Sequence, residues 1–236
     1  MSFPATRWTL PVLLVLGFGV ACTPPAAPTS APTATSRADA LLARLTLEQK
    51  VGQLMMIDAA GLTVDDGLRE MLEKHQVGGV IFFARNVESP AQVARLTNEL
   101  QASALKASGV GLFVAIDQEG GRVARLTANK GFTEFPGAMA LSAADRDPAR
   151  AATQVHRAGE AMATEMRAVG INTDFAPDLD VNNNPANPVI GIRSFGSDPK
   201  RVAALGTAFI EGLQGAGVLA FGKHFPGHGD TGTDRK

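Results

Sequence analysis

Near residue 230 the chain carries Lys223-His224-Phe225-Pro226-Gly227-His228-Gly229-Asp230, followed by Thr231-Gly232-Thr233-Asp234. A cation, two imidazoles and two carboxylates follow directly on an apolar run, Val218-Leu219-Ala220-Phe221, that reads as a buried strand. Three further stretches also gather polar or charged groups. One is Asp117-Gln118-Glu119-Gly120-Gly121-Arg122-Val123-Ala124-Arg125, another holds Asp174, Asp178 and Asp180, and the third is Arg193-Ser194-Phe195-Gly196. Groups that hold protons or charge, placed at the C-terminal ends of strands, are the arrangement in which α/β proteins build active sites.

Each group also has a plainer reading. Asp117 suits a helix N-cap. Arg122 and Arg125 are three apart and could simply pair with Glu119. Asp178 and Asp180 suit the backbone donors of a loop. His224 and His228 could ligate a metal, but Pro226-Gly227 between them forbids the helical i,i+4 face used by zinc hydrolases, so no metal is expected. Their joint occurrence at strand ends favours a polar pocket.

The elements that must position these residues alternate. Thr46-Leu47-Glu48-Gln49 has the spacing of a capping box, and Thr63-Val64-Asp65-Asp66 offers a second helix start. Ser89-Pro90, Asp147-Pro148 and Asp198-Pro199 each pair an N-cap with proline at the first helical position; Gly170 and Gly215 read as stops. Strands are expected at residues 54–57, 80–83, 112–116, 171–176 and 218–221. About five βα units with continuously apolar strands indicate a parallel sheet covered by helices, either a doubly wound sheet or a (β/α) barrel. The first strand is followed by no Gly-x-Gly-x-x-Gly, which removes support for a dinucleotide fold, and the loop chemistry favours the barrel.

The N-terminus reads differently. Arg7, an apolar run over residues 10–20 and small residues before Cys22 form an export signal, with an apolar run about half the roughly 20 residues a membrane-spanning helix takes. It resembles a bacterial lipoprotein signal with Cys22 as the lipidated residue, although Gly19 stands where leucine is usual; an ordinary cleaved signal is the alternative. Residues 22–36 form a Pro/Ala/Thr-rich tether. The expected organisation is therefore signal 1–21, tether 22–36 and folded domain 37–236, exported and anchored at the cell envelope. The formal net charge of −1 argues against a nucleic-acid partner.

Asp117-Gln118-Glu119-Gly120-Gly121-Arg122, Arg193-Ser194-Phe195-Gly196 and Lys223-His224-Phe225-Pro226-Gly227-His228-Gly229 resemble the glycoside hydrolase family 3 N-terminal domain, in its bacterial β-N-acetylhexosaminidase branch. The stretches 46–55 and 78–86 are also similar to it. The resemblance implies a TIM-type (β/α)₈ barrel, here incomplete at five to six of eight βα units. It implies retaining hydrolysis of terminal N-acetylglucosamine from peptidoglycan fragments, with no cofactor and no metal. It implies sugar binding by Asp117, Arg125, Arg193, Lys223 and His224, and an orienting role for Asp234. The acid/base histidine of that branch falls on Lys236, a poor proton donor or acceptor at neutral pH. The nucleophilic aspartate lies further along in the family than Lys236. The expectation is thus an N-terminal fragment without activity of its own and with exposed strand edges. The alternatives are a non-catalytic envelope lipoprotein that binds amino sugars, and a β-glucosidase or xylosidase of the same family. Few aromatic residues weigh against long polysaccharide substrates.

Overall fold

A computed structural model describes residues 34–232, with side chains from residue 37 onward. The signal reading of 1–21, Cys22, Asp234 and Lys236 lie outside the described residues. The first helix, α1 (Ala34–Arg44), begins inside the last residues of the expected tether.

The chain then alternates as the apolar runs require: α2 (Leu47–Gln53), β1 (Met56–Asp58), α3 (Asp66–Glu73), β2 (Gly79–Phe82), α4 (Pro90–Ser108), β3 (Phe113–Ile116), a short α5 (Ala138–Ala143), α6 (Pro148–Ala168), β4 (Thr173–Asp174), α7 (Pro199–Gly215) and β5 (Leu219–Ala220). All neighbouring strands pair in parallel, in the order β1-β2-β3-β4-β5. A doubly wound sheet reverses its strand order at a switch point; this one never does. It is an open arc of barrel staves, incomplete over the described residues, and its loops after the strands all emerge at one end.

Local sequence explains the helix starts. Thr46 and Gln49 close a reciprocal capping box at α2, and Asp65 accepts from the Leu68 N–H at the start of α3. Ser89, Asp147 and Asp198 each accept a backbone N–H from the helix they open, with proline next in line. The strands are mostly shorter than expected, β4 most of all, with only Thr173–Asp174 paired of the expected 171–176, and two further boundaries differ for a local reason. Leu54 caps α2, so β1 starts only at Met56. Gly215 is the last residue of α7, and the left-handed turn after it is made by Gly217; Gly109 does the same after α4.

The core lies between the sheet and the helices. Val80, Phe82, Val114 and Ile116 from the strands meet Leu96 and Leu100 of α4, Met162 and Met166 of α6, and Leu205, Phe209 and Leu213 of α7, all essentially buried. Each such side chain contributes about 1.5–3 kcal/mol relative to exposure. Helices α6 and α7 approach with almost nothing between them. A Cβ on Gly159 would stand 2.7 Å from the Phe209 carbonyl oxygen, and one on Gly212 only 2.2 Å from that of His156. The flanks are barer. Leu47, Val51, Leu54 and Met55 beside β1, and Leu179, Val181, Leu219 and Phe221 beside β5, are substantially exposed, as expected of an unclosed parallel sheet.

Candidate active site

Asp117 and Glu119 follow β3 directly, and the chain must fold back sharply to bring Arg125 beside them. Gly120 and Gly121 make that reversal in left-handed conformations (φ +84° and +56°). A side chain on Gly120 would strike the Pro136 carbonyl oxygen at 2.5 Å. Buried Gln118 bolts the loop shut. Its Oε1 accepts from the Arg125 and Leu126 N–H groups at 2.8 and 3.0 Å, and its Nε2 donates to the Leu126 carbonyl at 3.0 Å. Its own N–H donates to Asp174 Oδ1 at 2.9 Å, tying the tip of β3 to the tip of β4.

Cations from the later loops close on this turn. Lys223 Nζ, delivered by β5, lies 2.7 Å from Asp117 Oδ1 and 2.6 Å from Glu119 Oε1. Arg193 holds Glu119 with two parallel bonds, Nε to Oε2 and Nη2 to Oε1, both 2.8 Å, and its Nη2 is 3.5 Å from Asp178 Oδ2. Arg125 Nη2 reaches Asp117 Oδ2 at 3.3 Å. Alternating charges thus run Arg125–Asp117–Lys223–Glu119–Arg193–Asp178, with the Glu119 side chain only 3% exposed. Charge-assisted, two-pronged bonds are what allow such groups to be buried.

The carboxyls behind this chain divide by environment. Burial pushes Asp174 well above the usual carboxylate range, against the bond it accepts from Gln118 and the attraction of Lys223. Asp178 is raised to about 7, again by burial first, opposed by the bond from the Asp180 N–H and by Arg193. Asp180 goes the other way. Burial disfavours its charge, but hydrogen bonds from the His224 ring and from the His228 and His224 amides outweigh it and lower its pKa.

Together the strand tips line a cleft of about 740 Å³ whose walls include Asp117, Glu119, Arg125, Arg193, Lys223 and His224. All five residues expected to bind sugar therefore meet in one cavity. Asp117 caps no helix. Arg122 does not pair with Glu119; its guanidinium donates to the Pro188 carbonyl at 3.0 Å. Asp178 does serve a loop donor, accepting from the Asp180 N–H at 2.9 Å, and also borders Arg193. Asp180 holds His224 and the loop after it. Sequence reasoning missed the wall formed at the ends of β1 and β2 by Asp58, Phe83 and Arg85. Arg85 pairs with Asp58 and lies 4.9 Å over the Phe83 ring. Asp58 ends β1, and Phe83 and Arg85 come just after β2; that position was the available signal.

Among the described residues, Asp178, Asp180 and His224 bring possible metal-ligand atoms within 4.8 Å of one another. Those atoms are engaged: Asp180 and His224 with each other at 2.6 Å, and Asp178 with a guanidinium beside it. A cation there would have to displace these contacts.

Residues 46–236 match the family described as Glycosyl hydrolase family 3 N terminal domain. Beta-hexosaminidase A of Pseudoalteromonas piscicida is 41% identical over 217 residues, covering 85% of this chain and 36% of that protein. A Beta-hexosaminidase of Pseudomonas aeruginosa is 44% identical over 177 residues, covering 74% of this chain and 49% of the relative. The chain thus spans half or less of these relatives. Among solved structures, a glycoside hydrolase family 3 beta-N-acetylglucosaminidase from Paenibacillus sp. str. FPU-7 superposes with a TM-score of 0.75 at 52% identity, covering 80% of this chain and 35% of that one. NagZ from Neisseria gonorrhoeae, described in complex with N-trifluoroacetyl-D-glucosamine, gives 0.67 at 36% identity, covering 74% of this chain and 50% of that one.

Proposed function

We propose that this chain, which belongs to glycosyl hydrolase family 3 by its N-terminal domain, holds a terminal N-acetylated amino sugar in the cleft at its strand tips and serves β-N-acetylhexosaminidase chemistry. The observation that carries this reading is Asp117, held between Lys223 and Arg125 at the cleft wall with both carboxylate oxygens engaged in line with neighbouring cations. A carboxylate so placed accepts from two adjacent sugar hydroxyls, while the flanking amine and guanidinium donate to hydroxyl and acetamido oxygens. The relatives named above as hexosaminidases and N-acetylglucosaminidases support the amino sugar as the ligand.

In this reading Glu119 holds Arg193 and Lys223 in place, so orientation at the cleft is set before the ligand arrives. Asp234, the expected orienter of an acid/base group, lies outside the described residues. Peptidoglycan fragments as the source of the sugar, and export with lipid attachment at Cys22, belong to the same proposal; palmitate labelling that persists in Cys22→Ala would refute the attachment.

Isothermal titration with N-acetylglucosamine tests the reading directly. Saturable binding is expected, weakened at least about tenfold in Asp117→Ala, because hydrogen bonds to a charged group contribute about 1.5–3 kcal/mol and about 1.4 kcal/mol is tenfold in affinity. Binding unchanged by Asp117→Ala, or glucose bound as tightly as N-acetylglucosamine, would overturn it.

A further inference from the structure

His224 is the imidazole of the cleft wall, and it differs in kind from the residues around it. Lysine and arginine only donate hydrogen bonds, and carboxylates such as Asp117 and Glu119 only accept them. A neutral imidazole can do either, according to which nitrogen carries the proton.

Asp180 decides that. Its Oδ2 lies 2.6 Å from His224 Nδ1 and accepts the His224 backbone N–H at 3.2 Å; its Oδ1 accepts the His228 N–H at 2.6 Å. The carboxyl is 6% exposed, and the two backbone N–H groups converging on it favour its charged form. A carboxylate has no proton to give, so the ring contact is Nδ1–H donating to Oδ2. Asp180 is absent from the lining of the sugar cleft; it stands behind the ring, beside a separate cavity of about 290 Å³ that His224, Pro226 and Gly227 also line.

We infer that Asp180 is a positioning residue that locks His224 in its Nδ1–H form, leaving the Nε2 lone pair as the cleft's neutral acceptor for a ligand hydroxyl. The inference rests on the amino-sugar reading for the identity of the ligand, but the lock itself does not. The same two oxygens also pin the backbone of the Lys223–His228 turn, so one side chain sets both the tautomer of the ring and the position of the loop bearing it.

Two-bond ¹H–¹⁵N correlation spectra of the whole chain, recorded above the titration range of the imidazoles, report the tautomer. The His224 signals are identified by their loss in His224→Asn. The wild type is expected to show Nδ1–H. In Asp180→Asn the side-chain amide offers a donor to Nδ1, so His224 is expected to shift to Nε2–H and N-acetylglucosamine affinity to fall about tenfold, with cooperative thermal unfolding retained. An Nε2–H wild type overturns the inference whether or not the variant folds, as does a folded Asp180→Asn with unchanged tautomer and affinity. If the tautomer switches as expected but neither protein binds N-acetylglucosamine, the lock stands and the sugar reading falls.

Discussion

Two arginine–carboxylate pairs line the cleft, one from the ends of β1 and β2 and one from the loops after β3 and β4, and they have little in common beyond their chemistry. Arg193 and Glu119 are 11% and 3% exposed and joined by two parallel bonds, with Lys223 on the same carboxylate. Arg85 and Asp58 are about half exposed and meet through a single guanidinium nitrogen. In water the second pair is screened and free to part, so it contributes roughly 0–1 kcal/mol. The first has given up its hydration, and each partner now depends on the others. One wall of the cleft is therefore preset, and the other can rearrange around whatever enters.

Removing Glu119 should test that contrast hardest. Glu119→Ala leaves Arg193 and Lys223 short of a buried counter-charge, and urea unfolding should show a loss of about 3–5 kcal/mol. A loss below about 1 kcal/mol would erase the distinction between the walls. Asp178 gives a smaller, pH-dependent effect. Its carboxyl keeps its proton to about 7 in the folded chain, while an unfolded aspartate ionises near 4. Between those values the folded state binds more protons, so stability falls as pH rises through the window and levels off above it. Asp178→Asn should flatten that slope in thermal melts between about pH 4 and 7, leaving the same-signed share of Asp174; an unchanged slope would show that Asp178 titrates normally. Asp58→Asn should change stability by less than about 1 kcal/mol. A loss equal to that of Glu119→Ala would mean that Arg85 is far less free than its exposure implies.

These pairs also show where sequence reading succeeds and where it stops. The helix starts at Ser89, Asp147 and Asp198 were legible because cap and proline act within a few residues. The strands were legible as apolar runs, and the five sugar-binding candidates as polar clusters at their tips. The partner of Glu119 was not. Spacing pointed to Arg122, three residues on, but that pairing needs a helix, and the left-handed Gly120 and Gly121 exclude one. The actual partner, Arg193, comes from a loop beyond β4, a separation that only the folded chain closes. Asp58 and Arg85 escaped notice because each is a lone charged residue at or just past a strand end, with no polar cluster beside it to draw attention to that position. The β1 boundary slipped because the capping turn of α2 takes Leu54 for itself.

The contact of α6 with α7 reaches further than packing. Those helices lead into β4 and β5, the staves that carry Asp174 and, beyond a short turn, Lys223. Where Gly159 and Gly212 bring main chain against main chain, no side chain is left to cushion a change of spacing. A single methyl at either glycine would act as a wedge, prying apart the two staves at a distance from the ligand. Since misplacement by about 1 Å can cost a hundredfold in rate, the alignment of the cleft is set in part at the far side of the molecule, by two residues that never touch it.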